Sequence, residues 1–251
     1  MPLSDALVRK LRSIGDVSDE TAAALAELPM RHAELARDEE AATDGAPTDS
    51  CCLLIEGWMH RQKLVADGGR QILAFNVAGD IPDLQSLHLK HMDHSLVATT
   101  RCRVAFIAHE TMRDLVHSRP EIGDLLWRDS LIDAATFRTW ILMMGRQPAI
   151  KHLAHLMCEL FVRSATVGLS DGNSCPVPLT QEQLSDALGL SLVHTNRSLQ
   201  ELREQGLIAF DGRRLAILDW PRLSDMAEFD PTYLHLRERE DFDPAAPLDR
   251  H

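Results

Sequence analysis

No stretch of this 251-residue chain approaches the ~18 consecutive apolar residues of a membrane-spanning helix, and the opening MPLSDALVRKLRSIGD lacks a signal-peptide apolar core. A cytoplasmic protein with no membrane partner is therefore expected. Cysteine is sparse. Cys51, Cys52, Cys102, Cys158 and Cys175 make an odd number with no CxxC pair, which argues against a disulfide framework and against a zinc ribbon. Positive charge is also short, with 26 Lys and Arg against 38 Asp and Glu and a formal net charge of −12. Broad attraction to a polyanion is thus excluded as the main source of any nucleic-acid affinity. A metal-dependent enzyme would need two histidines and a carboxylate, or three histidines, aimed at one point. His60 is the only histidine between Met59 and Val77. No catalytic residue, metal site or cofactor is expected.

What is present is the composition of a globular protein, 45% apolar and 25% charged. Length allows two modest domains of about 100 to 150 residues each. The most informative stretch is LTQEQLSDALGLSLVHTNRSLQELREQGLIAFDGRRLAIL, residues 179 to 218. Thr180 with Gln183 three residues later forms a capping-box pattern, so a helix is predicted from Gln181 to the stop at Gly189. Ser191 caps a second helix from Leu192 to Gln205, ended by Gly206. Leu207 to Phe210 and Arg213 to Leu218 then flank Asp211-Gly212, which predicts a hairpin with a type I′ turn. The pattern is a helix-turn-helix with a wing.

On the second helix, the 3.6-residue period turns Thr195, Leu199 and Leu202 inward and leaves Val193, Asn196, Arg197 and Gln200 outside. That outer set suits a DNA major groove about 12 Å wide. Arg197 is the expected base reader, because a guanidinium can donate two parallel bonds to guanine O6 and N7; Asn196 suits an adenine edge or a phosphate. Thr180, Ser191, Arg213 and Arg214 suit phosphates. The stretch carries five acids against four arginines, a local charge of −1. Affinity must then come from a few well-placed contacts on two copies, which argues for a dimer on double-stranded DNA.

Upstream, Leu7, Leu11 and Ile14, then Ala22, Leu25 and Leu28, predict short opening helices broken at Gly15-Asp16. From residue 33 to about 107, β-rich runs alternate with turn signals: 52–55, 59–65, 71–77, 95–99 and 103–108. That spacing predicts an antiparallel roll with an interior that is either filled or open to a small ligand. Residues 121 to 144 hold no proline and predict one long helix. Leu125, Ile132, Ala135 and Leu142 fit one apolar stripe, and Trp127, Leu131, Ala134 and Ile141 fit another. Two stripes imply burial against both the roll and a second chain. Gly145-Arg146-Gln147-Pro148 breaks the pattern as a hinge before helical spacing resumes from 149 to 162. Residues 219 to 226 are expected to dock back as a short helix. Residues 228 to 251, with seven acids and three arginines, form an acidic tail with a disordered end.

The order roll, long helix, hinge and winged helix resembles the Crp/Fnr family of bacterial transcription regulators over nearly the whole chain. The likeness is strongest in residues 179 to 208, and is carried also by GRQILAFNVAGDI and Gly145-Arg146. It implies an α+β fold: a β-roll sensor domain (1–119), a dimerisation helix (120–145), a winged helix-turn-helix domain (146–227) and the tail (228–251). It also implies a homodimer on a pseudo-palindromic promoter site that contacts RNA polymerase, with Arg197 at the family's base-reading arginine. Many members place Glu where this chain has Val193, so their preferred DNA sequence does not carry over.

The sensor side departs further. Cyclic-AMP-binding members follow the glycine matching Gly79 with a Glu for the ribose and later an Arg-Ser pair for the cyclic phosphate. Here Asp80 and His94-Ser95 stand in those places, and a neutral imidazole is a poor replacement for a guanidinium. Cyclic AMP is not expected. Gly79, Asp80, His94 and Ser95 remain effector-pocket candidates for an unidentified small molecule. The iron–sulfur members use an N-terminal cysteine group, absent before Cys51. His88, His91 and His94 at spacings of three are an alternative metal sensor, and Cys51-Cys52 an alternative redox sensor. An effector-free regulator with the roll as scaffold is a further alternative.

Overall fold

Five apolar residues at helical spacing, Ala6, Leu7, Val8, Leu11 and Ile14, drive the first helix, α1 (Asp5–Ile14), and all five are buried. The fold is that of a computed structural model describing residues 5–237. Its end, residues 238 to 251, including the expected disordered stretch, lies outside the described residues. A second helix, α2 (Asp19–Ala26), starts where Ser18 Oγ accepts from the Thr21 amide at 3.1 Å. The described chain falls into two units, one up to Ala134 and one from Ala135.

In the first unit, seven strands follow: β1 (Arg31–Leu35), β2 (Glu40–Ala42), β3 (Ser50–Glu56), β4 (Met59–Leu64), β5 (Arg70–Asn76), β6 (Ser95–Ala98) and β7 (Cys102–Ala108). They form two antiparallel sheets, ordered β1-β7-β3 and β2-β6-β4-β5. Leu35, Cys52, Leu54, Cys102 and Val104 from the first sheet share one core with Met59, Leu96 and Ala98 from the second. These side chains fill the space between the sheets. β1 and β2 were not among the predicted runs. Most of their side chains are exposed or half-buried, so they carry no apolar alternation and exist by pairing with β7 and β6. Helix α3 (His109–Ser118) was likewise hidden by its polar sequence, although Met112 and Leu115 seat it.

Helix α4 (Pro120–Arg146) begins on a proline, which suits a first helical position, and spans 27 residues or about 40 Å. Ile122, Leu125, Leu126, Ile132, Ala135, Trp140 and Met143 are buried. Trp127, Leu131 and Ile141 are at least half-exposed, and Leu142 is 56% exposed. Leu142 therefore belongs to the outer face, against the expected stripe, because 17 residues from Leu125 the helix has drifted out of a seven-residue repeat.

The second unit holds α5 (Ala149–Thr166), α6 (Gln181–Leu188), α7 (Leu192–Glu204) and α8 (Trp220–Ala227). A three-stranded sheet, β8 (Ser174–Pro176), β9 (Ile208–Phe210) and β10 (Arg214–Ile217), has order β8-β10-β9. The expected type I′ turn is not formed. Only Gly212 of the pair has positive φ (83°), whereas type I′ requires both central residues there. Asp211 instead accepts the Arg213 and Arg214 amides at 2.8 Å each, closing a longer connection.

The start of the supposed tail is part of the second unit. Phe229 and Leu234 are buried, and Pro231–Leu234 makes a short 3-10 turn. Tyr233 donates to the fully buried Glu159 of α5 at 2.8 Å, and Trp140 Nε1 donates to the same carboxylate oxygen at 3.0 Å. His155 stacks on Tyr233 with ring centres 5.8 Å apart and meets Phe229 edge-on at 5.1 Å. Acid counting missed this because three apolar or aromatic side chains set the fate of the segment, and the surrounding acids stay at its surface.

Candidate nucleic-acid interface

The interface is built from two capped helices. Thr180 Oγ1 accepts the Gln183 amide at 3.1 Å, and Gln183 Oε1 accepts the Thr180 amide at 2.9 Å, which completes a capping box for α6. Gly189 ends that helix at φ 64°, a left-handed conformation that a side chain would strain, and the turn brings Ser191 to the start of α7. Ser191 Oγ accepts the His194 amide at 3.3 Å. Each capping hydroxyl spends an acceptor site, so its proton stays free to donate to a phosphate oxygen.

Thr195, Leu199 and Leu202 are fully buried, and Val193, Arg197 and Gln200 are exposed on the other side of α7. Arg197 forms no hydrogen bond or ion pair among the described residues, which leaves its guanidinium open to a groove. Asn196 is placed differently from Arg197: it is half-buried, with Oδ1 shielded from solvent and unpaired within the described chain. Leu192 and His194 are also exposed at the start of the helix, and neither was picked out from sequence. No acid lies in the first turn, so the partial positive charge of the helix start is unopposed there.

The two wing arginines part company. Arg213 is exposed at the tip, whereas Arg214 donates through Nε and one Nη to Ser174 Oγ at 3.2 and 3.0 Å. Arg203 holds the wing from behind by donating to the Phe210 carbonyl at 2.5 Å.

The four effector-pocket candidates in the first unit are engaged in the fold. A Cβ on Gly79, whose φ is 99°, would lie 2.5 Å from the Ala6 carbonyl oxygen and 2.8 Å from Lys10 Cβ, so α1 sits directly on this glycine. Asp80 accepts the Val77 amide at 2.9 Å and pairs with Lys10 Nζ at 3.0 Å. Lys10 also reaches Asp129 of α4 at 3.4 Å. Ser95 Oγ accepts the Asp44 amide at 3.0 Å. His94 is buried with Nδ1 2.8 Å from Asp93, and burial together with the nearby Arg61 pushes its pKa down against the pull of Asp93. Arg61, in turn, pairs with Asp133 of α4 at 2.5 Å. Lys10, Arg61, Asp129 and Asp133 were not identified from sequence, since only the folded chain brings them near these positions.

The alternative sensors are not supported. His88 and His91 are exposed while His94 is buried, and the described residues contain no group of three metal-ligating side chains. All five cysteines are buried; burial pushes the Cys51 thiol up to about 12 and Cys175 to about 11, far from a reactive thiolate.

A two-sheet roll, a long helix and a winged helix-turn-helix with an open arginine are the parts of a DNA-binding transcription regulator. Residues 33–119 match the cyclic nucleotide-binding domain, and residues 151–226 match the Crp-like helix-turn-helix domain. The chain is 26% identical over 190 residues to the transcriptional activator protein FnrL of Cereibacter sphaeroides, covering 73% of this chain and 75% of that one. It is also 26% identical to the nitrogen fixation regulation protein FixK of Azorhizobium caulinodans, covering 74% of each. The structure of FixK2 from Bradyrhizobium japonicum has the same fold, with a TM-score of 0.72 at 23% identity over 79% of this chain and 98% of that one. The chain belongs to the Crp/Fnr family of transcription regulators.

Proposed function

We propose that two copies of the chain associate along the exposed face of α4 and present two α7 helices to one pseudo-palindromic promoter site in the cytoplasm. The working parts are the roll (1–119), the dimerisation helix (120–145) and the DNA reader (146–227). The observation that carries this reading is the open Arg197 on the outer face of α7, opposite a fully buried seam. Trp127 and Ile141, each 66% exposed, support the pairing surface, since large apolar side chains in a row on one helix mark an interaction site. Half-sites then lie about one DNA turn, ~34 Å, apart or a multiple of it. The likeness to the family supports contact with RNA polymerase as part of this reading. Arg197 reads a guanine; Val193, Asn196 and Gln200 contact neighbouring bases; Thr180, Ser191, Arg213 and Arg214 hold phosphates.

The residues at the expected nucleotide site do not favour control by a cyclic nucleotide, although the roll matches the cyclic nucleotide-binding domain. With Gly79 against α1 and Asp80 paired to Lys10, the effector-free reading is favoured over a sensor that uses Gly79, Asp80, His94 and Ser95. Thermal unfolding with and without cyclic AMP tests the cyclic-nucleotide case, because a ligand of the folded state raises stability by RT ln(1 + [L]/Kd).

The test of DNA reading is selection of bound sequences from a random pool by purified protein, followed by Arg197→Ala. The expected result is a two-fold symmetric motif, with the variant losing about 1 to 3 kcal/mol and its preference at one base position. Equal losses on selected and random DNA would remove Arg197 from the base-reading role.

A further inference from the structure

Helix α7 opens with two apolar side chains that the described chain leaves uncovered. Leu192 is 48% exposed, and Val193, at 74%, has the highest exposure of the large hydrophobic residues described. Local stability does not account for this. A first helical turn gains from an acid and loses slightly from a β-branched residue, yet this turn has no acid and carries a valine. Packing does not account for it either, because the buried face of the helix is supplied by Thr195, Ser198, Leu199 and Leu202.

Val193 stands four residues before Arg197 and seven before Gln200, so the three share one face. Four residues of helix rise about 6 Å, close to two base steps of about 3.4 Å. A guanidinium on one guanine therefore sets the isopropyl group over the edge of a base pair one or two steps away. The valine can neither donate nor accept a hydrogen bond. The apolar feature that a major groove offers is the C5-methyl group of thymine.

We propose that Val193, flanked by Leu192, packs against a thymine methyl in each half-site and is thereby a specificity-determining residue. The inference rests on the DNA-reading assignment of α7 given above. It makes the site selective through contact with a methyl group at one position and through the arginine's paired hydrogen bonds at another.

The experiment uses the full-length protein and the symmetric duplex recovered by selection. Each symmetric pair of thymines is replaced in turn by deoxyuridine, which removes only the methyl and keeps every hydrogen-bonding group. The expected result is one sensitive pair, with a loss of about 4-fold in affinity per half-site. Val193→Ala is expected to bind the thymine and deoxyuridine duplexes equally. Repeating the selection with Val193→Glu is expected to move that position from thymine to cytosine, whose amino group a carboxylate can accept from. Since Val193 is exposed, circular dichroism of both variants should match the parent.

A parent protein indifferent to every replacement, a site with no thymine near the guanine, or an unchanged methyl effect in Val193→Ala would each overturn the inference while leaving DNA reading intact. Failure to recover any symmetric site would instead overturn the DNA-reading assignment and this inference with it.

Discussion

Asp83 offers a quantitative test of how the first unit is held together. Its side chain is 2% exposed, and Oδ1 accepts the Cys52 amide of β3 at 2.7 Å. Burial raises the carboxyl from its ordinary value of 3.8 to about 6, and the Cys52 amide and the Arg61 charge only partly oppose it. A rise of about 2 units corresponds to about 3 kcal/mol. Because the folded-state value is raised, the folded form holds its proton more tightly than the unfolded form. The associated stability is complete below pH 3.8 and is lost as pH rises through 6. Asp83→Asn removes the titration while keeping a carbonyl oxygen for the Cys52 amide. The gap between variant and parent should open by about 2 kcal/mol in the variant's favour from pH 4 to pH 7.5. Urea unfolding at several pH values measures the gap, and hydrogen exchange of β3 assigns it to the first unit. Parallel pH profiles for the two proteins would refute the assignment, as would a gap that closes with rising pH.

Gly79→Ala forces a Cβ to 2.5 Å from the Ala6 carbonyl and should lower stability of the first unit by roughly 2 kcal/mol or more; Gly212→Ala, also at positive φ but 3.6 Å from its nearest neighbour, should cost about 1 kcal/mol, both read by thermal unfolding. Tyr233→Phe removes a hydrogen bond to buried Glu159 and should destabilise the second unit by about 1 to 3 kcal/mol in urea. His152, buried and lowered to about 4, contributes stability that is present above pH 6.5 and lost as pH falls through 4, so His152→Leu should flatten acid unfolding of the second unit followed by hydrogen exchange of α5. Arg213→Ala should weaken selected and random DNA alike and reduce the salt dependence of binding, whereas Arg214→Ala should have a smaller effect because Ser174 holds its guanidinium; titrations at several salt concentrations compare them.

The DNA-reading helices were legible because their signals are local. A capping pair at Thr180 and Gln183, a glycine at each helix end and a 3.6-residue repeat all act within a few residues of themselves. Asn196 shows the limit of that logic, since position on the helix wheel marked it as outward although its side-chain oxygen is shielded. On the roll, the motif positions Gly79, Asp80, His94 and Ser95 could be located by likeness, yet their partners could not. Lys10 lies 70 residues before Asp80, and Asp133 lies 72 after Arg61. No local spacing records such a pair.

By itself the amino-acid sequence determined where α6 and α7 start and stop, which face of α7 is apolar, and that the N-terminal half alternates strands with turns. Those properties come from backbone conformation and side-chain period, which each short segment carries with it. Tertiary structure alone decided that Tyr233 and Phe229 pack within the second unit and that Asp80 is already paired. Burial and charge pairing depend on which distant segments meet, and a chain acquires those neighbours only when it folds.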